Sequence, residues 1–400
     1  MALSAAKPRS AIRLDYLDNL RSFALLLGLA FHVAIVYAAD IKYPLRNMDR
    51  SWTFDVFGEW VHLFRMPLFF FLSGYFSERT FRSKGIANFV RLRGFRILIP
   101  LVSGIILFAP AQYYVAALSN GYENNYFVFF WNEFLLKSPK PSHLWFLQYL
   151  VLYTFLYVAI RPVLNRLGNF FLPESRYGNS STGSLRVKRA EILLFLGFWS
   201  TFWTCLINYF FLKDQTFFTI EPVQFVYDIS FFAAGSFFIG KESTIIDGVS
   251  SKIELGILGI LALALFWCFY WIKSIDPFWS YFGYTGDWRR ILHIFLKCLG
   301  GWAWIAFFIR FFQFFVSDRT NTSEYLRNSS LPVYLIHHPI SLGIGFGIVQ
   351  ETWPIWAKFP LHLLLTYLLT FGIYHLLIRN SFFLNAILGN AKAKPAPADS

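Results

Sequence analysis

The chain is poor in charge: Asp, Glu, Lys and Arg make up 15% of its 400 residues, against about 25% in a typical soluble domain. Apolar residues reach 56%, above the usual ~45–50%, so a water-soluble globule is not expected. Cysteine is nearly absent. Cys205, Cys268 and Cys298 stand far apart inside apolar runs, which excludes a disulfide framework and a thiolate metal site; they are expected to be small apolar fillers. Also lacking are a P-loop, a zinc-type His/Glu spacing and a nucleophile elbow followed by Asp and His. No metal and no permanently bound cofactor are therefore expected. What the chain has in abundance is aromatic residues, 21% of the total. That composition suits lipid and its interfaces and rules out a disordered protein.

Apolar runs of bilayer-spanning length, about 20 residues each, fall near 17–39, 56–78, 97–118, 143–165, 190–212, 222–240, 253–272, 291–316, 329–348 and 359–378. The expected fold is an all-α integral membrane protein, a bundle of about ten transmembrane helices. The net charge of +13 would suit nucleic acid if it were spread at random, but it follows topology. With the N-terminus in the cytoplasm, the clusters Arg79/Arg82/Lys84, Arg91/Arg93/Arg96 and Arg186/Lys188/Arg189 all fall on the cytoplasmic side, as the positive-inside rule requires. Both termini are thus placed in the cytoplasm, the lipid bilayer is the expected partner, and no nucleic-acid partner is needed. Residues 1–16 read as a cytoplasmic segment without a signal peptide. Residues 17–380 read as the transmembrane domain, with a cytoplasmic loop at about 166–189 of which 173–189 reads as mobile. Residues 381–400 read as a cytoplasmic tail whose end, GNAKAKPAPADS, is disordered.

An ionisable residue inside a span is costly and marks a cavity, a partner or a path. The first helix carries Arg21 and His32, eleven residues apart; at about 100° and 1.5 Å per residue they share a face to within about 20° and stand about 16 Å apart. Read blandly, Arg21 snorkels to headgroups and His32 is a satisfied core histidine. The second helix carries Glu59, His62 and Arg65 at a spacing of three, which predicts one polar stripe. Arg91, Arg93 and Arg96 in RLRGFR are either ordinary positive-inside charge or guanidinium forks for phosphate. His143 and Trp145 open the fourth helix; His337 and His338 lie mid-span beside Pro339; Asp228, His293 and Lys297 complete the intramembrane set. His362 and His375, near opposite ends of the last helix, are expected to be structural.

Arg21 with His32 matches the R-x10-H signature of the acyltransferase-3 membrane proteins, and Arg93 with Arg96 their R-x-x-R element. The chain resembles that family in YLDNLRSFALLLGLAFH (16–32), FRMPLFFFLSGYFS (64–77), SHLWFL (142–147) and LPVYLIHHPI (331–340); between about 170 and 325 only hydropathy matches. Within the family it looks most like the branch that succinylates osmoregulated periplasmic glucans. The resemblance implies acyl transfer in the bacterial inner membrane, from cytoplasmic acyl-CoA, succinyl-CoA or a donor of another acyl group, to a hydroxyl of a periplasmic glucan. Arg21, Arg93 and Arg96 would then bind the coenzyme phosphates. His32 would take the proton from the attacking hydroxyl, or itself carry the acyl group. His337 or His338 would orient His32 or hydrogen bond the oxyanion. Arg65 would neutralise the succinyl carboxylate, with Lys297 in reserve. Glu59, His62, His143 and Trp145 are assigned to the acceptor. An O-acetyltransferase of another envelope glycan and a glycan or anion transporter are the competing readings, and a homo-oligomer is compatible with all of them.

Overall fold

The computed structural model describes residues 14–137, 139–171, 182–211, 215–239, 251–275 and 288–389. It is built from α1 (Asp15–Ala34), α2 (Trp52–Arg93), α3 (Ile99–Leu107), α4 (Ala109–Ser119), α5 (Trp145–Phe171) and α6 (Thr182–Phe210). These are followed by α7 (Pro222–Phe237), α8 (Lys252–Ile275), α9 (Trp288–Phe315), α10 (Asn321–Ile348), α11 (Ile355–Ile373) and α12 (Phe382–Ile387). Among the described residues there is no strand, and extended pairing is limited to the bridges Ala38–Ser51 and Phe217–Ile220. This is the all-α membrane architecture expected of a chain whose backbone polar groups must be satisfied within each segment.

Eight helical stretches among the described residues are long and apolar enough to cross a membrane. The longest, 52–119, is a hairpin. Gly85 takes φ 72° and ψ 173°, a conformation open essentially to glycine alone, and the chain doubles back there. Arg93 consequently reaches the Ser73 carbonyl at 3.3 Å and the Ser77 hydroxyl, and Phe81 packs on Phe89. The segment 79–96, read from sequence as a cytoplasmic connection, is therefore mostly helix. Polar side chains end the apolar run without ending the helix, because the backbone hydrogen bonds of a helix are made whether its side chains are polar or apolar. A π-helical turn, Gly94–Leu98, leads into α3.

Similar adjustments apply at the other boundaries. The loop expected at about 166–189 is narrower, since α5 continues to Phe171 and α6 starts at Thr182; 172–181 lie outside the described residues. Of the expected tail, Phe382–Ile387 is helical, and 390–400 lie outside the described residues, as do 1–13.

Side-chain contacts fix the directions of the helices. Asp18 lies 3.8 Å from Arg327 near the starts of α1 and α10, and their later turns meet again at His32 and His338, so these two helices run parallel. We call the end where both begin proximal and the other distal. At the proximal end Glu78, fully buried, joins α2 to α5: Arg161 contacts it at 2.8 and 2.9 Å, Arg82 at 2.6 Å, and Tyr157 adds its hydroxyl. Between these ends α2 and α7 cross with backbones in contact, because Gly74 faces the Phe232 carbonyl and Gly235 the Phe71 carbonyl. Such small-residue crossings replace the hydrophobic driving force that lipid removes. The interior is aromatic: Phe23 meets Phe308 and Phe312 at 5.5 and 5.4 Å, and Phe64 meets Phe308 at 4.8 Å.

Candidate active site

Four histidines from three segments converge toward the distal end. His32, in the last turn of α1, stands edge-on to His338 of α10 with ring centroids 4.4 Å apart, and 5.3 Å from His337. His143, just before α5, stacks nearly parallel on His338 at 4.8 Å and 5°. The rings differ in how they are held. His337 Nδ1 donates to the Tyr334 carbonyl at 2.8 Å, which leaves its Nε2 as the acceptor nitrogen. His143 faces oxygen with both nitrogens, Gln112 Oε1 at 3.0 Å and the Tyr334 carbonyl at 3.1 Å. The Tyr334 hydroxyl returns to the His143 carbonyl at 2.6 Å. His338 Nε2 meets the Tyr43 hydroxyl at 2.8 Å. His32 Nδ1 is buried without a hydrogen-bond partner. His338 Nδ1 is buried without a partner as well, but His338 is tied by its other nitrogen to Tyr43.

Local sequence explains the presentation. His143 follows Ser142, which has φ 50°, a left-handed conformation that a non-glycine residue adopts at a cost of about 1–3 kcal/mol. The Ser142 hydroxyl secures the turn by donating to Gln112 Oε1 at 2.7 Å. On α10, His337 and His338 follow Tyr334 by three and four residues, so all three line adjoining parts of one helical face. Pro339 lacks the amide that would have bonded the Leu335 carbonyl, and the His143 ring interacts with that carbonyl. The histidines meet ring against ring, and among the described residues no three His, Cys, Asp or Glu are placed to share a metal ion.

Arg65 joins this group from α2. It is buried, its guanidinium lies 4.8 Å over the Phe31 ring and against Gly28, and its Nε has no hydrogen-bond partner. Gly28 precedes His32 by one helical turn, so Arg65 stands about 6 Å proximal of the histidine along α1.

Arg21, Arg93 and Arg96 form a second cluster at the proximal end, close enough for their charges to repel one another. Arg93 is held by Ser73, Ser77 and the Phe89 ring at 5.6 Å; Arg96 is exposed in the π-helical turn. The neighbouring Arg82 and Arg161 share the Glu78 carboxylate; the trio has the Asp18 carboxylate beside Arg21, itself 3.8 Å from Arg327, and so keeps an excess of positive charge.

Other sequence candidates go elsewhere. The single stripe predicted for Glu59, His62 and Arg65 does not form a unit: Glu59 pairs with Lys273 of α8, and His62 is exposed and stacks on Phe31 at 6.1 Å. Trp145 packs on Phe70 and Tyr149 at 6.2 and 5.2 Å, within the aromatic core. Lys297 lies 4.2 Å over the Tyr227 ring, near Asp228, apart from the histidines. His362 has its two nitrogens engaged by Tyr37 at 3.2 Å and the Ser341 carbonyl at 2.8 Å, a structural arrangement. Sequence reasoning missed Tyr43, Gln112 and Tyr334. Gln112 and Tyr334 left a signal, a buried amide and a tyrosine one turn before a histidine pair; Tyr43, in a connecting loop, left none.

Two polar clusters of this kind, joined by one helix of a membrane bundle, fit a reaction in which a charged donor is held at one end and reacts toward the other. The chain matches the acyltransferase-3 family, described as an acyltransferase domain, over residues 14–375. It belongs to that family. It is thus a membrane acyltransferase with several membrane-spanning helices. Among its relatives, Glucans biosynthesis protein C of Escherichia coli (strain K12) is 25% identical over 363 residues, 88% of each chain. Glucans biosynthesis protein C of Escherichia coli O157:H7 (strain EC4115 / EHEC) is similar to the same extent, 25% over 363 residues. No solved structure matches the chain.

Proposed function

We propose that this acyltransferase moves a succinyl group from cytoplasmic succinyl-CoA onto hydroxyls of a periplasmic glucan, in the inner membrane of a bacterium, with both termini in the cytoplasm. The observation that carries the proposal is the division of α1 between Arg21 among its arginines and His32 among its histidines, about 16 Å apart along one helix. The proximal end is then cytoplasmic. Arg21, Arg93 and Arg96 take the coenzyme phosphates through charge-assisted hydrogen bonds, and the pantetheine arm, comparable in length to the interval, extends the thioester toward His32. His32 accepts the proton of the glucan hydroxyl as its oxygen attacks the thioester carbonyl. Arg65, on the donor side of His32, pairs with the succinyl carboxylate. His143 and the aromatic residues around it face the acceptor. The glucan acceptor is supported by the likeness to Glucans biosynthesis protein C.

The test is mass spectrometry of periplasmic glucans from cells with and without the gene, complemented by wild type or by His32→Ala. Succinyl substituents that require the wild-type chain and are missing with His32→Ala are expected. An unchanged substituent pattern rules out this acceptor, and full activity of His32→Ala removes the histidine from the chemistry.

A further inference from the structure

Tyr43 stands in the connection between α1 and α2, and that connection is held unusually firmly. The buried carboxylate of Asp55 accepts the backbone amides of Ala39, Asp40 and Ile41 at 2.7, 2.9 and 2.9 Å. Arg46 donates to the Ala39 carbonyl at 2.5 Å, and the buried Lys358 ammonium donates to the Asn47 side chain at 2.9 Å. The backbone amides of Asn47 and Ser51 return to the Val36 and Tyr37 carbonyls at 2.9 and 3.0 Å. A loop so tied keeps the Tyr43 hydroxyl at 2.8 Å from His338 Nε2, and an arrangement fixed before the substrate arrives needs no reorganisation during reaction.

The direction of that hydrogen bond follows from matching donors to acceptors. Among the described residues the Tyr43 hydroxyl has no other hydrogen bond, and His338 Nδ1 is buried without a partner. If His338 Nε2 carried the proton and donated it, both the tyrosine proton and the Nδ1 lone pair would go unmet. With Tyr43 donating, the stronger donor, a phenol O–H, meets the stronger acceptor, an imidazole nitrogen, and the groups left unmet are an N–H on His338 Nδ1 and the weakly accepting phenol oxygen. A buried unmet donor is costly, and an incoming acceptor atom removes that cost. The ring bearing it stands edge-on to His32.

We infer that Tyr43 is a positioning residue: by donating to His338 Nε2 it holds His338 as the Nδ1–H tautomer, and that N–H binds the oxyanion of the acyl-transfer intermediate. The inference rests on the acyl-transfer reading above and adds to it the residue that sets the oxyanion donor. As the acceptor oxygen bonds to the thioester carbonyl carbon, its proton passes to His32. The carbonyl oxygen takes the electron pair as an oxyanion, facing His338 Nδ1–H. When the carbonyl re-forms, the carbon–sulfur bond breaks and the coenzyme A thiolate leaves with the proton held on His32.

The experiment uses the purified full chain in proteoliposomes with a glucose oligosaccharide, succinyl-CoA and acetyl-CoA in turn, and release of the coenzyme A thiol as readout. Tyr43→Phe keeps the ring and the loop but loses the proton, so kcat falls by about 10- to 100-fold while KM for acyl-CoA and the unfolding temperature stay near wild type. Added to His338→Ala, Tyr43→Phe has no further effect, as expected of two residues acting as one unit. A wild-type kcat in Tyr43→Phe, or losses that multiply in the double variant, overturns the inference. A fully active His32→Ala overturns instead the reading on which it rests, so the two failures are distinct.

Discussion

The guanidinium of Arg65 lies directly against Gly28, where a Cβ would overlap Nη1 and come within 3.3 Å of Cζ. One missing methyl group on α1 thus decides where a buried cation sits, one turn from His32.

Gly28→Ala should therefore push Arg65 out of the interval between the arginine trio and the histidines. A fall in kcat of about tenfold or more is expected, the size of effect that small displacements of a positioning group produce. Binding of coenzyme A, measured by calorimetry, should persist because the proximal arginines are untouched.

Arg65→Ala addresses the same cation by removal. If it pairs with a succinyl carboxylate, the loss of kcat/KM is greater with succinyl-CoA than with acetyl-CoA, by about tenfold or more for a desolvated charge pair. Equal losses with both donors would exclude Arg65 from donor selection.

The trio of Arg21, Arg93 and Arg96 predicts a response that does not require turnover. An anion placed among mutually repelling guanidiniums stabilises the folded chain, so coenzyme A at about 100 times its Kd should add roughly 2.7 kcal/mol. The unfolding temperature in detergent should rise accordingly. In Arg93→Ala the rise should shrink, and adding Arg96→Ala should abolish it. A transporter without a coenzyme site would show no rise in wild type.

Two glycines should fail for different reasons. At Gly74 a side chain would collide with the Phe232 carbonyl across the α2–α7 crossing, so Gly74→Ala is expected to destabilise by about 1–3 kcal/mol through overpacking. At Gly85 there is open space within 4 Å but φ is 72°, so Gly85→Ala costs about 1–3 kcal/mol through backbone conformation alone. Chemical denaturation of both variants, with Gly94→Ala, also in open space, as control, separates the two causes.

The helical membrane architecture was legible because lipid imposes it: apolar length and the absence of unpaired backbone leave few alternatives. Arg21, His32, Arg65, His337 and His338 could be singled out for the same reason, since each is conspicuous in an apolar run. Pairings across helices were not legible. Glu59 finds Lys273 on α8, a partner set by packing and invisible to the local spacing that grouped it with His62 and Arg65. Nor could spacing reveal that 79–96 is largely helical, because hydropathy reports where lipid ends rather than where hydrogen bonding ends. Tyr43 was hidden for a third reason: a tyrosine in a short polar connection looks unremarkable until the Asp55 carboxylate is seen to anchor its loop.

Because Arg21 and His32 belong to a single unbroken helix, their interval behaves as a gauge that side-chain exchange cannot reset but a frameshift within the helix can. Adding or deleting one residue between them would swing the imidazole by about 100° around the axis while sliding it about 1.5 Å. It would then turn away from its histidine neighbours. If the arginine trio holds the donor as proposed, donors whose arm is too short or too long would be refused by the same gauge, through reach alone, before any difference in their chemistry is felt.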